Sequence, residues 1–432
     1  MDRSLSDYPS TSQAGGGPSR RDGVYGWRMV FLCAVTYMMT APGQTIGISG
    51  FIDPMLESLE LTRTEISTAY MIGTLVSAGL MPNVGTLIDR LGSRTSIALS
   101  GGLLGVVSVA MAGVTGLVAL TLGFVATRLF GQGSLNLSAS NAVAPWFEHR
   151  RGVALGVSTA VGAALIALVP VATAAAIEDY GWRTSWVLLG VAVWLVVLPI
   201  AFFGIVNHPR DLGQRPDGEA PAPDQGAVEA KRLARSYTRG EALRTPMYWA
   251  IVAATGTSSA IATGLNFHQI DILGEQGLSR IEAAANYLPQ TVGTLAATLV
   301  VGALVDKVRQ RWIIVINMAV LCGVMLMVPF VQPGLLAVFY GLILGTTGGS
   351  NRMLETGATP KLFGLRHLGA IRGVSRVVAV AGSAVGPVMI SIGRDLTGSY
   401  QAVLTWLLVV PIAVAALALV TPAPNPVPPS QR

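Results

Sequence analysis

The sequence predicts an all-α membrane protein, twelve transmembrane helices arranged as two pseudo-symmetric six-helix bundles. Three observations carry that prediction: a low charge content, the number of long apolar runs, and an internal repeat. Of the 432 residues, 51% are hydrophobic and 12% charged, and the mean hydropathy is +0.57. A soluble chain carries about 25% charged residues, so most of this one does not face water. A hydrocarbon core of roughly 30 Å needs about 20 apolar residues per helix. Such runs lie at 28–51, 65–88, 95–113, 118–144, 152–176, 185–206, 247–270, 282–305, 312–331, 334–359, 369–393 and 402–421. Lipid cannot satisfy backbone N–H and C=O groups, which makes each run a helix; barrel strands would instead show alternating segments of about 10 residues.

The connections sort by charge. One side carries Arg90, Arg94, Arg150, Arg151, Lys307, Arg309, Arg311, Lys361, Arg366 and the seven basic residues of 207–245; the other carries Arg63, Arg183, Arg280 and Arg394. The positive-inside rule then puts both termini in the cytoplasm of a multi-pass protein of the cell (inner or plasma) membrane. The basic surplus, 29 Lys+Arg over 23 Asp+Glu, is accounted for by topology and implies no nucleic acid. The expected organisation is a disordered cytoplasmic tail at 1–26, bundles at 27–206 and 246–421, a cytoplasmic linker at 207–245 and a C-terminal tail at 422–432. Residues 228–243 have the pattern of a basic amphipathic helix on the membrane surface, with a solvated connector as the simpler reading. No trustworthy cleavage motif follows the first apolar run. Cys33 and Cys322 both sit in apolar runs and read as packing residues.

One offset, 217 residues, recurs along the whole body. Leu61, Arg63, Glu65 and Tyr70 correspond to Leu278, Arg280, Glu282 and Tyr287; Gly85, Asp89, Arg90 and Arg94 correspond to Gly302, Asp306, Lys307 and Arg311; Gly152, Gly156 and Pro170 correspond to Gly369, Gly373 and Pro387. Six-helix halves repeated about an axis along the membrane normal are a transporter plan, with the substrate site at midplane between the halves.

After the second span, Gly85-Thr-Leu-Ile-Asp89-Arg90-Leu-Gly92-Ser-Arg94 resembles the G-x-L-x-D-R-x-G-x-R signature of the major facilitator superfamily. Its counterpart after the eighth span is Gly302-Ala-Leu-Val-Asp306-Lys307-Val-Arg-Gln-Arg311. The resemblance implies a latch in which a carboxylate meets a helix N-terminus and a cation across the cytoplasmic face; a charged loop that only sets topology is the alternative. Arg128 with Gly131 and Gly133 resembles the family's fourth-span arginine and its following glycines. The run Pro145-Trp146-Phe147 to Arg150-Arg151-Gly152 and Gly156 is similar to the oxalate:formate exchanger and monocarboxylate transporter branch, as are Gly181-Trp182-Arg183, His208-Pro209 and Asn266-Phe-His268. Members of that branch commonly place a charged residue in or near the eighth span. The stretch Asn286 to Ala296 of that span has none.

Charged side chains at membrane depth are functional by default. Arg128, Arg352, Glu355 and Arg376 make the short inventory, with Arg372 nearer the cytoplasm. Glu355 stands one turn from Arg352 and is expected to neutralise it, leaving Arg128 and Arg376 as an anion clamp, one guanidinium from each half. Arg128 has a competing reading as a brace for neighbouring backbone. The first span breaks at Ala41-Pro42-Gly43, and breaks beside a cavity expose backbone to ligand. Gln44, Thr45, Tyr70, Asn136, Asn141, Tyr287 and Gln290 form the expected neutral lining, with helix packing as the alternative for each. His268 and Glu355 are the candidates for proton coupling. Asn136-Leu-Ser138 and Gly131-Gln-Gly133 are discarded as a sequon and a nucleotide loop, the former lying inside a span and the latter following no strand.

The expected function is secondary active transport, as antiport, symport or facilitated diffusion, of a small organic anion, a mono- or dicarboxylate. It would work as a monomer in the lipid bilayer, with a counter-anion or proton as the second solute and neither cofactor nor metal. It is not an enzyme. The alternatives are drug or secondary-metabolite efflux by proton antiport, which would call for a Gly-Pro motif in the fifth span, and a non-transporting sensor, which would call for an appended signalling domain.

Overall fold

The computed structural model describes residues 24–148, 150–214, 216, 237–305, 307–364 and 367–422. Residues 1–23 of the tail, 217–236 of the linker, Asp306, Arg366 and 423–432 lie outside the described residues. So does most of the expected surface helix at 228–243, of which the short helix Arg239–Leu243 is seen, opened by a Thr238/Glu241 capping box.

Helix α1 is Val24–Met38, starting ahead of the expected boundary, and continues past a break as the 3-10 turn Ala41–Gly43 and the helix Thr45–Ser49. Helices α2 and α3 share the run Arg63–Met111, divided at Gly92. Helix α4 is Leu117–Thr127, a π-helical stretch Arg128–Leu135 and Asn136–Val143. Helices α5 and α6 share Arg151–Gly204 and part at Gly181. The second half comprises α7 (Pro246–Phe267), α8 (Arg280–Leu304), α9 (Gln310–Met327), α10 (Leu335–Met353, with the π-helical turn Leu354–Ala358), α11 (Leu368–Thr397) and α12 (Tyr400–Val420).

Six of these continuous stretches are long and apolar enough to cross a membrane, and two of the six hold two helices each. The helices outside these six stretches are α1, α4, α7 and α10, the first and fourth helix of each half. Three are interrupted, and α7 carries the polar run Thr255-Gly-Thr-Ser-Ser259. A span that faces protein and an aqueous cavity need not be apolar all round, and α4 and α7 border the cavity described below.

Local chemistry sets the joints. Thr62 and Ser279, 217 residues apart, each cap a helix by accepting from the N–H of Glu65 and Glu282 while those carboxylates return the bond; such a box satisfies two orphan donors. Gly92 (φ +74°) and Gly181 (φ +76°) turn the chain in the left-handed region, where a side chain would be strained. Each is followed two residues on by an arginine that closes a neighbouring helix end. Arg94 Nη2 donates to the Phe202 carbonyl at 2.6 Å, and Arg183 Nη1 to the Ala112 and Val114 carbonyls at 2.6 and 3.0 Å. Terminal carbonyls lack intrahelical donors, and a cation also suits that end of the helix dipole.

The repeat reappears in the packing: α1 against α5 as α7 against α11, α2 against α4 as α8 against α10, and α3 against α6 as α9 against α12. Small residues let these backbones approach; a methyl at Gly386 of α11 would overlap the Ala260 carbonyl of α7, and one at Gly345 of α10 would overlap the Gln290 carbonyl of α8.

Candidate functional site

Among the described residues, the hydrogen bonds and ion pairs that join the two halves gather at the end bearing Arg63 and Arg280. Arg63 Nη2, at the start of α2, lies 2.8 Å from Asp53 in its own half and 2.9 Å from Asp271 in the other. Asp271 accepts as well from the Tyr400 hydroxyl at 2.6 Å. Ser67 meets Ser391 at 2.5 Å, and Thr64 donates to Asp395 at 2.5 Å. The repeat makes this seal pseudo-symmetric. Arg280 Nη1 reaches back from α8 to the Gly50 carbonyl at 3.0 Å; Tyr287 meets Ser49 at 2.8 Å, while the Tyr70 ring lies 4.7 Å from that of Phe267.

Next to the seal a cavity of about 780 Å³ separates the halves. Its wall takes Thr74, Ser77 and Met81 from α2, Arg128, Gln132, Asn136 and Ser140 from α4, Ser259 and Thr263 from α7, and Arg376, Val380 and Ser383 from α11. Both arginines singled out from the sequence therefore border one space, one from each half, among hydroxyls, amides and aliphatic groups.

Arg128 is 3% exposed and opens the π-helical stretch of α4. Its Nη1 donates to the Gly43 carbonyl at 3.1 Å, its guanidinium sits 4.8 Å over the Tyr70 ring, and its Nε is buried without a partner. A methyl on Gly43 or Gly131 would strike the other segment's backbone, so the break in α1 lies flush against α4 and brings that carbonyl within reach. Arg128 thus braces the break with one nitrogen and keeps another unsatisfied. It has no carboxylate partner among the described residues.

Arg376 is different, with a side chain 74% exposed and Nη1 3.9 Å from Glu355, itself 13% exposed. The expected Arg352–Glu355 pair is not formed; Arg352 is exposed, and Glu355 faces α11 instead. The reason is the π-helical turn Leu354–Ala358: an extra residue per turn shifts the register, so the three-residue spacing no longer stacks the two side chains.

The neutral residues divide. Asn136 borders the cavity and accepts from the Tyr37 hydroxyl at 2.8 Å. Thr45 and Tyr70 are bonded to each other at 2.6 Å, and Gln44 donates to Thr40 at 3.2 Å. Tyr287 belongs to the seal and also donates to the Asn266 carbonyl at 2.7 Å, while Gln290 joins Gln269 and Asn286 between α7 and α8. Gln44, Thr45, Tyr70, Tyr287 and Gln290 lie outside the wall of this cavity, bonded to neighbouring side chains towards the seal. His268 is buried behind the seal, its Nε2 3.1 Å from both the Pro387 carbonyl and Ser391 Oγ.

The opposite end carries the two motif loops. Asp89 and Arg90 are exposed, and a methyl on Gly85 would meet nothing within 4 Å. Lys307 is exposed as well, and Asp306 lies outside the described residues. Arg94, placed with the latch by its motif, is engaged inside the first half instead. What sequence reasoning missed was the seal. Arg63 and Arg280 were visible as repeat mates, and their symmetry was the signal available; Asp53 and Asp271 have no such relation.

Comparison with known proteins agrees with this architecture. A bacterial homolog of the human lysosomal transporter Spinster, solved in an inward-facing, unoccupied conformation, aligns with a TM-score of 0.69 at 15% identity, over 93% of this chain and 97% of that one. The oxalate:formate antiporter of Oxalobacter formigenes is 24% identical over 234 residues, 54% of this chain and about half (52%) of its own length. Human monocarboxylate transporter 11 is 25% identical, covering 91% of this chain and 81% of that one. The Escherichia coli 3-(3-hydroxy-phenyl)propionate transporter is 26% identical, covering 86% and 93%. Residues 29–387 match the sequence profile of the Major Facilitator Superfamily, and with the fold and the inter-half cavity in agreement, this chain belongs to that superfamily and is a membrane transporter.

Proposed function

We propose that the chain carries a small organic anion, a mono- or dicarboxylate, across the cell membrane by alternating access, held between Arg128 and Arg376. The observation that carries this reading is the cavity itself, bordered by one guanidinium from each half. A buried cation without an anion is costly, and Arg128 has a free Nε with no carboxylate beside it. A planar donor fork suits a carboxylate. Three relatives are named for organic acids, which supports the same class.

With the basic loops in the cytoplasm the cavity opens inward, the seal at Arg63 and Arg280 is the outer gate, and the chain rests inward-open. Asp89 would then engage only when the cytoplasmic end closes. A counter-anion or a proton supplies the gradient, and the monomer is the working unit.

The test is uptake into proteoliposomes with a panel of mono- and dicarboxylates. Arg376→Lys keeps the charge without the fork, and its affinity should fall about tenfold, the scale of one charge-assisted hydrogen bond. Arg376→Gln should nearly abolish anion transport in a protein still folded in the membrane. If Arg376→Gln carries the anion as wild type does, the clamp is wrong and drug efflux by proton antiport becomes the better reading.

A further inference from the structure

Resting on that reading, a narrower question is how many negative charges the site accepts. The cavity wall carries two guanidinium groups, Arg128 and Arg376. Glu355 stands behind one of them, 3.9 Å from Arg376 and largely shielded from solvent. Arg128, on the far side, has no carboxylate among the described residues. Arg352 and Arg372 carry further charge nearby but do not border the cavity. Two cations and one adjacent anion leave the cavity with one unit of positive charge.

The rest of the wall fits a substrate with an apolar body. Leu75, Ala78 and Met81 of α2, Leu137 of α4, and Val377 and Val380 of α11 supply aliphatic surface. At about 780 Å³ the space is also far larger than a two-carbon acid requires, within the range of pockets that enclose drug-sized ligands.

We infer that Glu355 is a specificity-determining residue that restricts this carrier to monoanions bearing an apolar body, by cancelling the charge of Arg376. A monocarboxylate held between Arg128 and Arg376 balances that one unit and leaves the cavity neutral. A dianion leaves it with an excess negative charge near Glu355, whose side chain is only 13% exposed, so that solvent screens the repulsion incompletely. Glu355 touches no substrate in this scheme; it acts through Arg376.

The experiment compares two probes that differ by one carboxylate, 3-phenylpropionate and benzylmalonate. Measurements at about pH 8 keep both essentially fully ionised. Binding to purified protein and counterflow in proteoliposomes are measured for wild type, Glu355→Gln and Glu355→Asp, with size-exclusion profiles confirming the fold. Wild type should favour the monoanion by about tenfold or more, Glu355→Gln should shift that ratio about tenfold towards the dianion, and Glu355→Asp should keep the wild-type order. A change in ratio is a readout that a merely structural role for Glu355 would not move. Equal handling of both probes by wild type, or an unchanged ratio in Glu355→Gln, overturns the inference while leaving the anion-carrier reading intact. Failure of wild type to bind either probe overturns both.

Discussion

Removing the charge of Asp271 should unlock the seal. Arg63 Nη2 is 2.9 Å from Asp271 and 2.8 Å from Asp53, and the three side chains are 17%, 24% and 19% exposed. Exposed ion pairs contribute about 0–1 kcal/mol, and hydrogen bonds to charged groups about 1.5–3 kcal/mol. Partial burial places the Arg63–Asp271 contact at roughly 1.5–2 kcal/mol. Asn at 271 keeps an acceptor for the Tyr400 hydroxyl, so Asp271→Asn isolates the ionic part. Because Arg63 and Asp271 belong to different halves, the loss falls on the conformation closed at this end. At about 1.4 kcal/mol per factor of ten, the population ratio should move roughly 10- to 30-fold towards the conformation open at this end. Asp53→Asn is the control, since it removes a contact within one half and should move the ratio much less. Spin labels at Ser58 and Gln401, exposed positions at this end in opposite halves, report the separation by pulsed electron resonance. An unchanged distance distribution in a folded Asp271→Asn protein, or an equal response in Asp53→Asn, would refute the lock.

Three other outcomes are expected. Asp89→Asn should favour the conformation described here, since it deletes an interaction available only when the other end closes; labelling of Ser259→Cys in the cavity, on a background lacking Cys33 and Cys322, should rise, and unchanged labelling alongside normal transport would count against the latch. Gly131→Ala should weaken anion binding at a cost of about 1–3 kcal/mol from overpacking, because its methyl meets the Gly43 backbone, whereas Gly156→Ala meets nothing within 4 Å. Equal ligand titrations for the two variants would show that the Gly43–Gly131 contact does not position Arg128. Arg183→Ala removes the donor shared by the Ala112 and Val114 carbonyls and should lower thermal stability in detergent by about 1–3 kcal/mol; a melting temperature equal to wild type would show that water satisfies those carbonyls as well.

The sequence by itself determined what depends on the solvent around each segment. Lipid demands apolar, internally bonded helices, so the spans that face it were legible from hydropathy, less clearly for α1, α4, α7 and α10. The 217-residue offset carried the two halves, down to the paired capping boxes at Thr62 and Ser279. Gly92 and Gly181 were in view as motif residues, but their left-handed turns came only with the structure. Arg128 and Arg376 were legible because a charge at membrane depth needs a reason. Only the tertiary structure decided what depends on how one helix is rotated and seated against another. Glu355 pairs with Arg376 rather than Arg352 because a π-helical turn re-registers its side chain, and no residue type in Leu354–Ala358 announces that turn. Tyr287 and Gln290 look like cavity residues by composition, and they lie outside the cavity wall, bonded to neighbouring side chains towards the seal. The Arg63–Asp271 bond joins residues 208 positions apart in chain numbering; it exists through the docking of two bundles, a relation that neither hydropathy nor the repeat encodes.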